Sequence, residues 1–251
     1  MNGRSDMAPA KIALVTGAGS GIGKAAALAL LEAGYGVACG YNSNRTAAEK
    51  IQQSNTCAYA VNIDIGSRAS VKRAIAGAAR HFGRGFDIVV NNAAQVQEKP
   101  FETITDADWD QMLAVNLRGA FIVAQETLPA MLGRKWGRIV NITSIGGQWG
   151  GMRQVHYAAA KAGLINLTHS LARLYSHAGI TANAIAPGLV ATDMIREELK
   201  SKAGKRKAEQ IPVGRIAEPD EIAAAVLYLA SDAAAYVTGQ TLNINGGMLM
   251  S

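Results

Sequence analysis

Short apolar runs of strand length alternate along this chain with longer segments of helical period. That alternation constrains the fold more than any single motif does. The runs fall at residues 11–16, 36–41, 57–62, 86–91, 137–143, 180–186 and 241–244, and helix-period stretches such as 22–33, 68–82, 109–132, 155–177 and 220–230 lie between them. Strand, helix, strand repeated in this way predicts a parallel sheet buried on both faces. With right-handed crossovers this is an α/β, doubly wound Rossmann-type sheet of seven parallel strands, whose ligand crevice opens beyond the carboxyl ends of the strands. No linker, repeat or low-complexity tract divides the chain. The reading is therefore one domain over residues 11–251 behind a flexible residue 1–10 segment, with one irregular stretch at 188–215 placed as a lid.

Composition enters as a set of exclusions. Apolar residues make up 49% of the chain and charged residues 18%, enough for one large core. Aromatic residues are only 6%, too few for a base-stacking surface, so nucleic acid is not an expected partner. The net charge of +6 favours acidic partners without naming one. Cys39 and Cys57 belong to no spaced Cys/His cluster and read as reduced residues; His169 and His177 likewise lack a ligand pattern, so no metal is expected. Residues 1–10 have no apolar segment, and no later window approaches roughly eighteen uninterrupted apolar residues. A cytoplasmic protein with no membrane partner is the expectation.

The first strand runs into Gly17, Gly19, Ser20, Gly21, Ile22 and Gly23, which open a helical segment. Glycines at such a turn let the backbone approach a pyrophosphate at a positive helix N-terminus. At the end of the second strand an acidic residue would bind a ribose 2'-hydroxyl and repel a 2'-phosphate. That place holds Tyr41, followed by Asn42, Ser43, Asn44 and Arg45, with no carboxylate before Glu49. NADP(H) is favoured on that electrostatic ground and NAD(H) is left open; Ser20 counts against NADP(H), because many users of it carry a base there. Tyr157 and Lys161 are four apart in a helical segment and share one face.

The Gly-x3-Gly-x-Gly spacing, the Asn91-Asn92-Ala93-Ala94 element after the fourth strand, and Asn116, Ser144, Tyr157 and Lys161 in that order resemble the short-chain dehydrogenase/reductase family. Ala94 departs from the family's glycine. The likeness covers nearly the whole chain after Ala10. It is strongest toward the beta-ketoacyl-(acyl-carrier-protein) reductases of fatty-acid synthesis, which segments such as Ala186-Pro187-Gly188 and Asn245-Gly246-Gly247-Met248 resemble.

The resemblance implies that Tyr157 gives a proton to a carbonyl oxygen polarised by Ser144 while hydride arrives from a nicotinamide. Lys161 would bind the ribose hydroxyls and lower the tyrosine pKa, and Asn116 would hold a water that connects the lysine to solvent. It adds Asp64, Ile65, Asn92, Ala93, Ala94, Pro187, Gly188, Val190 and Thr192 to the cofactor contacts, with Gln95, Gly146 and Gln154 toward the substrate. Arg134, Lys135 and Arg173 would dock an acidic acyl carrier protein, and a homotetramer would form. Lys200, Lys202, Lys205, Arg206 and Lys207 could attract the same carrier or the phosphates of a pantetheine thioester; a solvated, helical lid surface explains them slightly better. His156 points about 100 degrees away from Tyr157 around the helix and reads as a rim or interface residue. To serve near neutral pH, a tyrosine of pKa ~10 must be brought down by roughly 4 kcal/mol. A cation about 4 Å away gives ~1 kcal/mol in water and ~4 kcal/mol at an effective dielectric near 20, so the pair needs a crevice that excludes water.

Overall fold

The computed structural model describes residues 9–192 and 208–250. The expected architecture is present: strands β1 (Ile12–Thr16), β2 (Gly36–Tyr41), β3 (Ala58–Asn62), β4 (Ile88–Asn91), β5 (Gly137–Ile142), β6 (Ile180–Pro187) and β7 (Thr241–Ile244) form one sheet. Its order is β3-β2-β1-β4-β5-β6-β7, with every pairing parallel. Val15 of β1 lies between Cys39 of β2 and Val90 of β4 in register. All residues of β1, β4, β5 and β6 are buried, as expected of a sheet covered on both faces.

Two layers of helix provide that cover. Helices α1 (Gly21–Glu32), α2 (Arg45–Ser54) and α8 (Pro219–Ala230) pack on one face, where Leu30, Ile51 and Val226 join Val15 and Val90 in a single core. Helices α3 (Arg68–Phe82), α5 (Gly119–Arg134) and α7 (Val155–Tyr175) cover the other, where Val71, Val123 and Ala172 meet Leu14 and Ile139. The chain reverses its direction across the sheet between β3 and β4. The strand ends of β1 and β4 are thus left as neighbours whose connections depart to opposite sides, which opens a crevice there.

Two segments differ from the periodicity. Helix α2 buries only Ala48 and Ile51 and is started by Asn44, whose side chain accepts from Ala47 N; with so few apolar residues its period is faint in the sequence. The single helix expected at 109–132 consists of α4 (Asp106–Leu113), a π-turn (Ala114–Arg118) and α5. The π-turn admits one extra residue per turn and points Asn116 inward, where it is 1% exposed. A short α6 (Gly146–Trp149) precedes α7, and a Cβ on Gly147 would lie 2.8 Å from the Lys161 carbonyl carbon, so only glycine permits this approach.

Both cysteines are free, and burial pushes the Cys39 thiol up to about 12. Among the described residues there is no metal-ligating cluster and no helix long and apolar enough to cross a membrane. The lid expected at 188–215 is described only at its two ends, joined to the rest by the Val190–Ala217 bridge. Lys200, Lys202, Lys205, Arg206 and Lys207 lie outside the described residues.

Candidate active site

A crevice of about 720 Å³ opens at the carboxyl ends of the strands, over the β1/β4 junction. Its floor is the glycine turn. Gly17 and Gly21 adopt φ of 69° and 49°, and Gly17, Gly19, Ser20, Gly21 and Ile22 all face the crevice. Where α2 and α3 are closed by the side chains of Asn44 and Ser67, α1 has no side-chain cap and no acidic residue in its first turn. Its first N–H groups and the positive end of its dipole are turned to the crevice, an arrangement that suits a pyrophosphate. Gly23 does not line the crevice as expected. A Cβ there would sit 2.2 Å from Gly17 O and 2.4 Å from Asn92 Nδ2, so this glycine lets α1 close on the turn and on β4.

Around this floor, Tyr41, Asn42 and Ser43 line one end with Asp64 and Ile65, while Asn92, Ala93, Ala94 and Gln95 come from the segment after β4. Asp64 does not cap α3; its Oδ1 accepts from Gly66 N at 2.9 Å and shapes the turn beneath the crevice wall. Thr16 Oγ1 accepts from both Asn92 N and Ala93 N at 3.0 Å, tying the two strand ends together. Pro187, Gly188, Val190 and Thr192 close the far side. Arg45 is turned away: its Nε donates to Glu49 Oε1 at 2.7 Å on the exposed surface of α2, and it does not line the crevice.

Ser144, Tyr157 and Lys161 converge on the other end of the crevice. Ser144 neighbours the Tyr157 phenol and opposes the effect of its burial. Gly146, expected near substrate, instead donates its N–H to Ser144 Oγ at 3.1 Å and so orients that hydroxyl. Lys161 is 2% exposed and donates from Nζ to Ile142 O at 2.8 Å; the ammonium lies 5.6 Å from the centroid of the Tyr157 ring.

The electrostatics run against the expected lysine effect. Burial raises the Tyr157 pKa above its ordinary value, opposed by Ser144, while burial lowers Lys161 to about 8. Desolvation disfavours the charged form of each group, and the Lys161 ammonium donates to a backbone carbonyl.

Asn116 does not reach the crevice. Its Nδ2 donates to Gln95 O at 2.9 Å and to Met112 O at 3.1 Å, and its Oδ1 accepts from Gln95 N at 3.2 Å. These contacts occupy both N–H groups and one lone pair of the amide, and they clamp Gln95. Gln154 donates to Glu98 rather than facing the crevice, and His156, expected at a rim, is fully buried with its Nε2 2.7 Å from Gln97 Oε1.

The expected carrier-docking cations sit at the other end of the molecule. Arg134 ends α5 beside the start of β4: its Nε is 2.7 Å from Asp87 Oδ1, and Nη2 donates to the Gly85 and Phe86 carbonyls. Asp87, 2% exposed, also accepts from Ile12 N and pairs with Arg84, so Arg134 neutralises a buried carboxylate. Lys135 is exposed just beyond it in a left-handed conformation, and Arg173 borders a shallow depression with Thr238 and Gly239. All three lie toward the amino ends of the strands, opposite the crevice.

Sequence reasoning missed Gln111 and Val115, which line the crevice from α4 and the π-turn, and Ile142, which offers its carbonyl to Lys161. Nothing local marks them: each is brought there by packing of distant elements.

A family model described as enoyl-(acyl carrier protein) reductase matches residues 17–249. Across 96% of its length the chain is 40% identical to a 3-oxoacyl-(acyl-carrier-protein) reductase of Staphylococcus epidermidis, covering 99% of that protein. An Aquifex aeolicus protein of the same description is 40% identical, with 95% and 97% of the two chains covered. An acetoacetyl-CoA reductase of Shinella zoogloeoides is 41% identical over 94% of this chain and 98% of its own.

Proposed function

This chain belongs to the short-chain dehydrogenase/reductase family and is an oxidoreductase that uses a nicotinamide cofactor, and from that premise we propose that it reduces the 3-oxo group of an acyl thioester with NADPH. The convergence of Tyr157, Ser144 and Lys161 beside a glycine-floored crevice carries the reading. The glycine turn and the uncapped N-terminus of α1 would hold the pyrophosphate, and Tyr41, Asn42 and Ser43 the adenosine ribose and its phosphate. The carboxylate that lines that end, Asp64, comes from beyond β3 and accepts from Gly66 N; the run that follows β2 brings none. That supports a 2'-phosphate.

When bound, the cofactor supplies a hydride. The chain's own groups handle the proton. The Tyr157 phenol is protonated at neutral pH with or without its shift, the state needed to donate to a carbonyl oxygen. Ser144, oriented by Gly146 N, polarises that oxygen. Lys161 spends one of its three N–H groups on Ile142 O and keeps the others for ribose hydroxyls.

The names of the similar proteins favour a thioester, carried either by an acyl carrier protein or by coenzyme A. Acetoacetyl-CoA reduction is thus the second reading, and dehydrogenation of another small ketone, sugar or alcohol lies behind it. Oxidation of NADPH and of NADH, followed by absorbance with acetoacetyl-CoA and an acetoacetyl carrier protein in parallel, separates them. Faster turnover of the carrier substrate with NADPH, lost roughly 1000-fold in Tyr157→Phe, is the expected result. Turnover of other carbonyls alone would keep the chemistry and discard the thioester.

A further inference from the structure

Gln95 and Val96 wall the crevice that Tyr157 also lines, and the 95–99 segment that carries them contains no helix or strand. Their place is set mainly by side chains. Asn116 clamps the Gln95 backbone, and Gln111 Nε2 donates to Gln95 Oε1 at 3.2 Å. On the outside, Gln154 reaches Glu98, and the Lys99 amide donates to Arg153 O at 2.7 Å. Between these lies one buried contact, from Gln97 to His156.

That contact has a fixed direction. Asp108 is held as a carboxylate: hydrogen bonds from Lys99, Thr105 and Gln97 keep its pKa well below the usual range. A carboxylate only accepts, so Gln97 must turn its Nε2 to Asp108 Oδ1, at 2.9 Å. Its Oε1 then faces His156, which must donate from Nε2. The tautomer is set by Asp108 through Gln97, and His156 Nδ1 is left buried with no partner. His156 is the second residue of α7 and Tyr157 the third. The relay therefore joins α4, the 95–99 wall and the first turn of the helix that carries the phenol.

We propose that His156 is a positioning residue which, through Gln97 and Asp108, fixes the spacing between the 95–99 wall and Tyr157 and so sets the fit of the carbonyl substrate. The inference rests on the reading of Tyr157 as the proton donor. It assigns no chemistry to the imidazole: among the described residues the other hydrogen bonds from the wall toward the start of α7 are the exposed Glu98–Gln154 contact and the Lys99 bond to Arg153 O.

The experiment compares the full-length protein with His156→Leu, His156→Gln, Gln97→Leu and the double variant His156→Leu/Gln97→Leu. Four quantities are read: amide hydrogen exchange at Lys99, the affinity for NADPH by fluorescence, and KM and kcat for acetoacetyl-CoA. His156→Leu should speed Lys99 exchange and raise KM by about tenfold each, with NADPH affinity unchanged and kcat within about threefold. His156→Gln, which still presents an N–H to Gln97, should restore both. The double variant should be no worse than the more impaired single. Unchanged exchange in His156→Leu, a His156→Gln protein as impaired as His156→Leu, or additive effects in the double variant would overturn the proposal. Gln97→Leu, altered outside the buried helix face, decides the matter if His156→Leu does not fold. If the wild type turns over no carbonyl, the functional reading fails while the exchange pattern still decides whether the relay exists.

Discussion

The two ends of the crevice are built differently. The end over β1 and α1 is made mostly of backbone, glycines and helix N–H groups, with the Thr16 hydroxyl tying β1 to the segment after β4. The end beside Tyr157 is made of side chains that meet from β4's exit, α4, the π-turn and α7. A backbone site tolerates few changes of shape but is indifferent to most side chains. A side-chain site can be retuned one contact at a time, and that is where substrate choice can vary without loss of the cofactor.

The largest test of this contrast lies at Lys161, on the seam between the two ends. Its pKa falls from 10.5 to about 8 on folding. The unfolded chain therefore holds more protons between those values, and stability must rise with pH from about 8 to 10.5, by on the order of 3 kcal/mol. Below pH 8 the penalty for burying the ammonium is present in full. Chemical denaturation across that pH range should show the rise in the wild type and not in Lys161→Met, the difference between the two proteins isolating this one group. Parallel curves would mean that the ammonium keeps more solvation than its burial indicates.

Next in size is Gly23→Ala, which pushes a Cβ against Gly17 O and Asn92 Nδ2. An overpacked contact of this kind costs about 1–3 kcal/mol. NADPH affinity should fall by about tenfold or more in a fluorescence titration, while hydrogen exchange at residues 95–99 stays at wild-type rates. Faster exchange there would show that the two ends are coupled and not separately built. The smallest effect belongs to Gln154→Ala, which removes an exposed contact with Glu98. Its cost should be under about 0.5 kcal/mol, with KM for acetoacetyl-CoA within twofold of wild type. A larger rise would shift the weight of the wall from the buried His156 contact to its outer seam.

The fold was legible because its signals are local. Short apolar runs mark strands, longer helical periods mark what covers them, and a glycine turn between the first strand and helix marks the crevice. Ser20, Tyr41, Asn92, Ser144, Tyr157 and Lys161 line the crevice because each lies at or just past a strand end or on the helix that passes it. Asn116, Gly23, Arg45, Gly146 and Gln154 do not line it. Their partners are Gln95, Gly17, Glu49, Ser144 and Glu98, and which partner a side chain takes depends on its tertiary surroundings and on local geometry that a motif leaves unspecified.

Arg134 shows the same limit at larger scale. As a basic residue in a motif it looked free to meet an acidic partner; in the folded chain it answers Asp87, a carboxylate brought beside it by the return of α5 to the start of β4. The amino-acid sequence by itself determined the strand order of burial, the glycine turn and the residue types gathered at the strand ends. Only the tertiary structure decided which of those residues spend their polar groups on one another. Burial makes every unpaired donor and acceptor costly, so a side chain takes the partner that packing brings within reach, and that partner can lie anywhere in the chain.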